Sequence, residues 1–277
     1  MEKSYTFKRP ECFDLSLIFD CGQSFRFTQS SDCSYSGIAF GRAVDFIQND
    51  EEITIIGADE NDFNDIWKRY LALDIDYTLL RNEITSLRPD DEILKNAMEY
   101  GKGIRLLRQD KWETLCSFII SQNNNIPRIK SLVEAISREY GDKIKTYSVG
   151  KYYSFPSAKK IADGGTDKLR ELKVGFRAPY IMDAAKKVAS GEIDLNALDG
   201  LSTDRLLDTL MTIKGVGLKV ASCVALFAYG RLDCFPIDVW VKRVLEKYYP
   251  DGFDHTALPN TAGLVQQYLF YYERYKG

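Results

Sequence analysis

The stretch that decides the fold reads M-T-I-K-G-V-G-L-K-V-A-S-C from Met211 to Cys223, and L-D-C-F-P-I-D-V-W-V-K-R follows from Leu232 to Arg243. Apolar residues with helical spacing precede this stretch, and a second apolar helical pattern begins directly behind Gly217. The two glycines, one residue apart, allow left-handed backbone angles and a close approach by a partner. The sequence therefore predicts two helices joined by a tight glycine hairpin.

Lys219 and Asp238 are the candidate catalytic pair in this stretch. Lys219 falls in the first turn of the second predicted helix, where the helix dipole disfavours a cation, so it either reaches out to solvent or is retained for its amine. Asp238 precedes a further helical pattern and is predicted to be its N-cap, because aspartate accepts hydrogen bonds from the free N–H groups of a helix start. A helix–loop–helix connection can return Asp238 towards Lys219. An amine beside a carboxylate is suited to Schiff-base chemistry.

The hairpin, the lysine behind it and the P-I-D-V segment Pro236–Val239 resemble the helix-hairpin-helix Gly/Pro-Asp superfamily of DNA glycosylases. Within that superfamily the chain is similar to the 8-oxoguanine DNA glycosylase/AP lyase family. The resemblance implies a base excision repair enzyme that removes 8-oxoguanine opposite cytosine and nicks the abasic strand by β-elimination. Lys219 is then expected to attack C1′ of the flipped nucleotide and form a Schiff base, while Asp238 stabilises the positive charge that develops on the sugar.

The resemblance also assigns a pocket for the damaged base. Gly22 lies in D-C-G-Q-S-F-R, and its backbone carbonyl is expected to accept the N7 hydrogen that distinguishes 8-oxoguanine from guanine. Gln266 and Phe270, four residues apart on a predicted helix, are expected to read the Watson–Crick edge and to stack on the purine. Cys223, one turn after Lys219, is expected to cover the other face of the base.

A second group of residues is expected to bind the rest of the DNA. The S-Q-N-N-N-I-P-R segment matches the asparagine-rich loop of the family, and Asn123 is expected to fill the space that the flipped base leaves. Arg128 and Arg177 are expected to hydrogen-bond the orphaned cytosine, since an arginine fork suits an exposed base edge. The hairpin is expected to hold phosphates through its backbone N–H groups. Its residues are Lys214, Gly215, Val216 and Gly217.

The chain departs from the pattern of eukaryotic members at three positions. Phe176 stands in place of a tyrosine, Trp240 in place of a histidine, and Phe227 in place of a methionine in the pocket helix. The tryptophan puts in doubt a polar contact near the 5′ phosphate of the lesion. We expect these differences to change the rate and the preference for the opposite base more than the reaction type.

Length and composition favour a globular protein of the cytoplasm, associated with the nucleoid, or of the nucleus. The 277 residues include no apolar run long enough to cross a bilayer, and the N-terminal segment lacks the apolar core of a secretion signal. Six scattered cysteines without a C-x-x-C pair argue against a disulfide framework and an iron–sulfur cluster, and the single histidine, His255, argues against a His/Cys metal site.

The expected partner is double-stranded DNA containing 8-oxoguanine, bound by a monomer. The net charge of −3 counts mildly against nucleic acid, but backbone N–H groups and a helix N-terminus hold phosphate without many lysines. No cofactor is expected. The resemblance implies at most a structural ion, held by the backbone carbonyls of Met211, Ile213 and Val216.

The patterning of apolar residues changes along the chain from strands to helices. Alternation at 25–27 and short apolar runs at 35–40, 43–47 and 53–56 predict strands, whereas helical spacing begins at Phe63 and dominates after Ile129. We predict an α+β fold in which an N-terminal antiparallel β-sheet unit, residues 1–107, packs on a mostly α-helical body, residues 108–277, that contains the helix-hairpin-helix.

Two other functions fit parts of the pattern. An alkylated-base glycosylase shares the architecture and the aspartate, but Lys219 and the base-pocket residues speak against it. A non-catalytic hairpin module would grip DNA or scaffold repair partners, and substitution of Lys219 separates this hypothesis from an enzyme. A helical protein unrelated to DNA would have to match four separate motifs by chance, and we reject it.

Overall fold

The chain begins with a five-stranded antiparallel sheet whose strand order is β1-β5-β4-β3-β2. The computed structural model describes residues 3–31, 33–144 and 152–276. The strands of the sheet are β1 (Ser4–Lys8), β2 (Phe27–Ser31), β3 (Ser34–Ala39), β4 (Arg42–Gln48) and β5 (Glu52–Ile56). Four consecutive strands therefore form a meander, and the first strand of the chain pairs with the last of them.

Alternation of apolar and polar residues explains why these segments form a sheet with one buried face. Tyr35, Phe46 and Ile55 lie directly opposite one another on β3, β4 and β5, and each is at most 1% exposed. The turn between β3 and β4 consists of Phe40 and Gly41, whose φ angles are 51° and 69°. Two positive φ angles match the twist of a two-residue hairpin, so the turn fixes the register.

Helices follow the sheet and build the body of the protein. In the described residues they are α1 (Leu15–Phe19), α2 (Glu60–Asp62), α3 (Lys68–Tyr70), α4 (Tyr77–Leu87), α5 (Glu92–Tyr100), α6 (Lys111–Ser121), α7 (Ile126–Tyr140), α8 (Ala158–Glu171), α9 (Ala178–Ser190), α10 (Thr203–Met211), α11 (Leu218–Tyr229), α12 (Val239–Tyr248) and α13 (Ala262–Tyr275). A π-helical turn at Phe63–Trp67 joins α2 to α3. None of these helices combines the length and apolar character needed to cross a membrane.

The helices around the later site differ in how they begin. Asp110, Asn125 and Asp238 cap α6, α7 and α12, and each side chain accepts hydrogen bonds from N–H groups of the first turn. The N-cap of α11 is instead Gly217, which has no side chain to accept hydrogen bonds from the first turn. The N–H groups at the start of α11 therefore remain free for another acceptor.

Buried apolar side chains form two clusters. The smaller cluster lies between the sheet and α1 to α3, where Phe19 stacks on Phe27 and Trp67 meets Phe46 edge to face. The larger cluster fills the helical body around α11, in which every residue from Val220 to Ala228 is buried. α13 packs on both α5 and α12 and so connects the N-terminal helices to the hairpin region.

The predicted fold class is confirmed, and several details differ. β1, α1 and α4 were not predicted, because five-residue elements are too short to show a period and α4 has few buried positions. Phe25 and Arg26, predicted to start a strand, precede β2 in a bend. The short strands β6 (Lys143–Ile144) and β7 (Tyr152–Tyr153) interrupt the helical half. The boundary between residues 107 and 108 stays a prediction.

Candidate active site

A cavity of about 570 Å³ opens where α6, α11, α12 and α13 meet the loop around Gly22. Both members of the predicted catalytic pair, Lys219 and Asp238, line this cavity. It is also lined by most of the predicted base-pocket and DNA-binding residues. These are Gly22, Asn123, Phe176, Cys223, Phe227, Trp240, Gln266 and Phe270. Segments more than 200 residues apart in the sequence thus contribute to one cavity.

Lys219 is the second residue of α11, and its amine reaches into the cavity. The Nζ atom lies 3.4 Å from Ser121 Oγ and 5.6 Å from the centre of the Phe118 ring. Among the described residues, no carboxylate, including that of Asp238, lies within ion-pairing distance of this amine. The amine is therefore held by a long hydrogen bond to Ser121, a ring face and the nearby Cys223 thiol, and by no ion pair among the described residues.

Asp238 is fixed by the helix that it caps. Its Oδ1 accepts hydrogen bonds from the backbone N–H groups of Trp240 at 3.0 Å and Val241 at 2.9 Å, which confirms the predicted N-cap. The second carboxylate oxygen has no hydrogen-bond donor among the described residues. A negative charge thus stands at the cavity wall in a fixed position, as stabilisation of a developing positive charge requires.

Gly22 occupies a backbone conformation that excludes larger residues. Its φ is +82°, and a Cβ at this position would lie 3.2 Å from Ile126 Cδ1 and 3.3 Å from Phe270 Cε1. The glycine therefore does more than form a turn, because any side chain would also fill the gap between Ile126 and the ring of Phe270. That gap is part of the cavity.

Two amide side chains hold the backbone on either side of Gly22. Gln267 donates from Nε2 to the carbonyl of Cys21 at 2.6 Å, and Gln109 donates from Nε2 to the carbonyl of Gln23 at 2.8 Å. The flanking carbonyls are thereby satisfied within the protein. This arrangement fixes the loop around Gly22, and neither Gln267 nor Gln109 was predicted to belong to the site.

Gln266 lines the cavity, and its side chain carries a buried hydrogen-bonding atom without a partner. The residue is 4% exposed, and its Oε1 has no hydrogen-bond partner among the described residues. A buried polar atom without a partner costs about 1–3 kcal/mol, and a ligand that donates a hydrogen bond offsets that cost. The amide is therefore suited to reading a polar edge of a bound molecule.

Aromatic rings and one thiol form the apolar walls. Phe118 and Phe227 stack with centroids 5.4 Å apart and planes 11° apart, and Phe25 meets Phe118 edge to face at 5.8 Å. Burial raises the pKa of the Cys223 thiol to about 11, with nearby Lys219 acting in the opposite direction, so this wall is uncharged at neutral pH. A flat, apolar slot with one polar end suits a heteroaromatic ring.

The asparagine-rich loop lies at the mouth of the cavity. Asn123 is exposed with φ +47°, and Phe176 is 51% exposed. Arg177 is only 5% exposed, because its guanidinium donates to the backbone carbonyls of Gln122 and Asn123 and stacks on Phe176. In this structure Arg177 braces the loop, whereas Arg128 stays exposed. Their predicted contacts to an orphaned cytosine stay predictions.

The hairpin between α10 and α11 is tightly built. Gly215 has φ +78°, and a Cβ there would lie 2.4 Å from the ring of Tyr180, so the backbone rests directly on that ring. The Lys214 N–H donates to Asp183 Oδ2 at 2.8 Å. Gly217 does not adopt the left-handed backbone conformation that the sequence suggested, since its φ is −98°. Gly217 instead leaves the start of α11 without a side-chain cap.

Metal binding at the hairpin is not tested by the structure. The Ile213 carbonyl accepts a hydrogen bond from the Val216 N–H at 3.0 Å, and the predicted ion at the carbonyls of Met211, Ile213 and Val216 stays a prediction. Within the described ranges, no group of three or more His, Cys, Asp or Glu side chains is arranged to hold a metal.

Several cavity residues were not predicted from the sequence. Arg274 follows Phe270 by four residues on α13, so helical spacing from Gln266 onwards would have indicated it. Others lie inside or beside the motifs that were recognised but were not assigned to the site, among them Phe25, Ser121, Ile126 and Gln267. Phe118 comes from α6, whose cavity-facing side is set by packing.

Comparisons with known proteins agree with this fold. A family model described as HhH-GPD superfamily base excision DNA repair protein matches residues 116–257, which gives the class of protein. A second model, described as 8-oxoguanine DNA glycosylase, N-terminal domain, matches residues 5–115. The N-glycosylase/DNA lyase of Saccharomyces cerevisiae is 31% identical in an alignment 259 residues long, which covers 85% of this chain and 68% of the yeast protein.

Solved structures point to the same relatives. The structure of MBOgg1 in complex with a low affinity DNA ligand has a TM-score of 0.94 and 40% identity, covering 99% of this chain and 96% of that one. The Clostridium acetobutylicum 8-oxoguanine glycosylase/lyase, in complex with double-stranded DNA containing cytosine opposite 8-oxoG, has a TM-score of 0.91 and 34% identity, covering 100% and 98%. The chain belongs to the 8-oxoguanine DNA glycosylase family of the HhH-GPD superfamily, as the sequence motifs predicted.

Proposed function

We propose that the protein is a bifunctional DNA glycosylase and AP lyase that excises 8-oxoguanine opposite cytosine and then nicks the abasic strand. One observation carries the proposal: Lys219, Asp238 and Gln266, whose amide oxygen has no partner among the described residues, line the same cavity of about 570 Å³. The names of the yeast and clostridial relatives, an N-glycosylase/DNA lyase and an 8-oxoguanine glycosylase/lyase, support the same activity.

Recognition of the base uses the fixed loop and the free amide. A base that leaves the duplex and enters the cavity would stack on Phe270 and meet Cys223 on its other face. The N7 hydrogen of 8-oxoguanine would donate to the Gly22 carbonyl, whereas guanine would present a lone pair there and be repelled. Gln266 Oε1 would accept from the Watson–Crick edge of the base. Discrimination between 8-oxoguanine and guanine then depends on the hydrogen atom at N7.

The chemical step uses two side chains. The unprotonated amine of Lys219 attacks C1′, a carbon–nitrogen bond forms, and the glycosidic bond breaks with its electron pair leaving on the base. Asp238 stabilises the positive charge that builds up on the sugar. One proton of the amine passes to the departing base and the other to O4′ as the sugar ring opens, which gives an imine on Lys219. Loss of a C2′ proton then expels the 3′ phosphate, which cuts the strand by β-elimination.

The hairpin and the exposed asparagine-rich loop are proposed to bind the duplex. The uncapped start of α11 offers backbone N–H groups to a phosphate, which suits a chain of net charge −3. Asn123 would occupy the space of the flipped base. Arg128, Arg177 and Phe176 are proposed to contact the opposite strand, and Arg177 would need to release loop carbonyls to do so.

Borohydride trapping tests the proposal. The probe is a duplex with one 8-oxoguanine opposite cytosine, and the proteins are wild type, Lys219→Gln, Asp238→Asn and, as a control, the exposed Lys159→Gln outside the cavity. We expect a covalent protein–DNA adduct with wild type and the control. Lys219→Gln should give no adduct, and Asp238→Asn should give it at least about 10²-fold more slowly.

Other outcomes separate the alternatives. Base release without an adduct leaves a glycosylase but contradicts the lysine mechanism. Tight binding without base release favours a non-catalytic hairpin module. Excision of alkylated bases in place of 8-oxoguanine favours the alkylated-base alternative.

The protein is further proposed to act as a monomer in the compartment that holds the DNA, cytoplasm with nucleoid or nucleus. The predicted catalytic and base-pocket residues meet in this cavity, so the proposed reaction requires no residue from a second copy. Light scattering at working concentration should give the mass of one chain of 31.6 kDa. A stable dimer would contradict this part of the proposal.

A further inference from the structure

Arg274 is a cation at the lesion cavity that the reaction scheme leaves unused. Its guanidinium lines the cavity together with Lys219 and Asp238 and is half-buried. Among the described residues it makes neither a hydrogen bond nor an ion pair. The neighbouring acid, Glu273, is engaged elsewhere, since its carboxylate lies 3.4 Å from Lys247 Nζ. The N–H donors of Arg274 therefore have no partner within the described protein.

Aromatic rings fix the position of this guanidinium. Its Cζ atom lies 5.5 Å from the ring centre of Trp240, 5.4 Å from that of Tyr275 and 5.9 Å from that of Phe270. Contacts of this kind hold a guanidinium by its faces and leave its N–H edge free. The arginine is thus pre-positioned, while its hydrogen-bonding capacity is reserved for a ligand.

The position of Arg274 along α13 indicates which part of a ligand it meets. Gln266, Phe270 and Arg274 follow one another at intervals of four residues and lie on one face of the helix. Gln266 is 4% exposed and Phe270 8% exposed, whereas Arg274 is more open than either. The face therefore runs from the floor of the cavity to its mouth. A base on the floor places its sugar and phosphate at the mouth.

We propose that Arg274, which lies among the rings of Trp240, Tyr275 and Phe270, binds a phosphate of the nucleotide whose base occupies the cavity. This inference rests on the proposed function, because it takes a flipped nucleotide as the ligand. An arginine edge matches two phosphate oxygens with parallel hydrogen bonds, and such charge-assisted pairs are the stronger ones. Trp240 contributes by holding the arginine and not by contacting the phosphate through a polar group of its own.

Salt-dependent binding tests the proposal. The probes are a duplex with a non-cleavable abasic analogue opposite cytosine and the matched undamaged duplex. The variants are Arg274→Gln, Arg274→Lys, Trp240→Leu and, as a charge-matched control, Arg138→Gln, which removes an exposed arginine from the far end of α7. Kd is measured between about 50 and 200 mM salt, the range in which phosphate contacts change affinity strongly.

Loss of one phosphate contact predicts a defined pattern. Arg274→Gln should raise Kd about tenfold at low salt on the abasic probe and reduce the slope of log Kd against log salt by about 0.9. Arg274→Lys should keep the slope but bind several-fold more weakly, because a point charge lacks the fork. Trp240→Leu should resemble Arg274→Gln in affinity. Arg138→Gln should match wild type.

Two results would overturn the assignment. An unchanged salt slope for Arg274→Gln on the abasic probe would mean that Arg274 does not bind a phosphate. An equal loss with Arg138→Gln would mean that only net charge matters. Thermal unfolding checks that each variant is folded. Since the binding probes need no catalysis, failure of wild type to form an imine would reject the proposed reaction without deciding the Arg274 result.

Discussion

Gly22 combines two requirements at one residue, a left-handed backbone and an empty space between Ile126 and Phe270. Gly22→Ala should therefore destabilise the fold by about 1–2 kcal/mol through its φ of +82°. Its methyl group should also displace the base, reducing 8-oxoguanine excision by about 10²-fold, the cost of a misplacement near 1 Å. Single-turnover assays would measure this, and cleavage of a preformed abasic site should stay within about threefold of wild type.

Gly191 provides the control for backbone strain alone. Its φ is +80°, and a Cβ there would meet no atom within 4 Å. Gly191→Ala should lose similar stability and keep full excision. If both alanine variants lost excision equally, the pocket explanation for Gly22 would be wrong.

Gln267 is expected to act on the base indirectly. Its Nε2 donates a hydrogen bond of 2.6 Å to the Cys21 carbonyl, next to Gly22. Gln267→Leu keeps the volume but leaves that buried carbonyl without its donor, at a cost of about 1–3 kcal/mol. The loop around Gly22 then loses its fixed position. We expect the ratio of excision rates for 8-oxoguanine and guanine to fall about tenfold, because discrimination depends on where one carbonyl points.

Tyr275→Phe is the matched variant for Gln267→Leu. It removes a hydrogen bond of 2.8 Å to the Asp20 carbonyl, which lies in the same loop but at an exposed position. Selectivity should be unchanged in this variant. Loss of selectivity in both variants would indicate general loosening of the loop.

At the scale of elements, the hairpin between α10 and α11 depends on contact between Gly215 and Tyr180. Gly215→Ala adds a methyl 2.4 Å from the ring at a φ of +78°, so the hairpin must shift away from α9. Strain and overpacking together should cost about 2–4 kcal/mol. DNA affinity should fall in parallel, because the N–H groups at the start of α11 move with the hairpin. Denaturant unfolding and duplex binding are the measurements.

Gly217 is the informative comparison within the same hairpin. Its φ of −98° is accessible to alanine, and a Cβ there would point into open space. The free energy of unfolding of Gly217→Ala should lie within about 1 kcal/mol of wild type, because alanine at this N-cap is somewhat poorer than glycine. A large stability loss here would mean that the hairpin tolerates no side chain at all, and the specific role of Tyr180 would be refuted.

At the scale of the whole molecule, Arg26 joins the sheet unit to the helical body. Its guanidinium is 5% exposed and lies 3.5 Å from Glu113 on α6 and 3.7 Å from Glu134 on α7. It also donates to Ser137 Oγ at 2.7 Å and to the Tyr153 carbonyl at 2.6 Å. One buried cation thus connects the segment after Gly22 to two helices and to β7.

This cluster makes stability depend on pH. Burial raises the pKa of Glu113 from 4.5 to about 7, while Arg26 acts in the opposite direction. Between these values the folded protein holds a proton that the unfolded chain has released, so the free energy of unfolding falls as pH rises through this window. The expected loss is about 1–3 kcal/mol. Glu113→Gln should remove this decline in denaturant titrations from acid to neutral pH.

Glu134→Gln serves as the control for that titration, because it removes the other carboxylate near Arg26 from a more exposed position. Its pH profile should keep the decline, moved slightly to lower pH, because the charge of Glu134 contributes to raising the pKa of Glu113. A decline that persists in Glu113→Gln would assign the pH dependence to a different group.

The sequence alone determined the hairpin, the lysine behind it, the N-cap at Asp238 and the order of sheet and helices. These features are local, because glycine conformation, helix capping and apolar period act over a few residues and leave a readable pattern. The family motifs added Gly22, Gln266 and Phe270, which the structure brings to one cavity.

Only the tertiary structure decided which of these groups work together. Three contacts join residues from separate elements. They are the hydrogen bond from Gln267 to the Cys21 carbonyl, the stacking of Phe118 on Phe227 and the proximity of the Arg274 guanidinium to the Trp240 ring. Such contacts depend on how whole helices pack, and helix packing is set by complementary surfaces that no single segment encodes. For the same reason the sequence indicated Arg177 only as a reader of DNA, whereas in the fold it first supports the loop that carries Asn123.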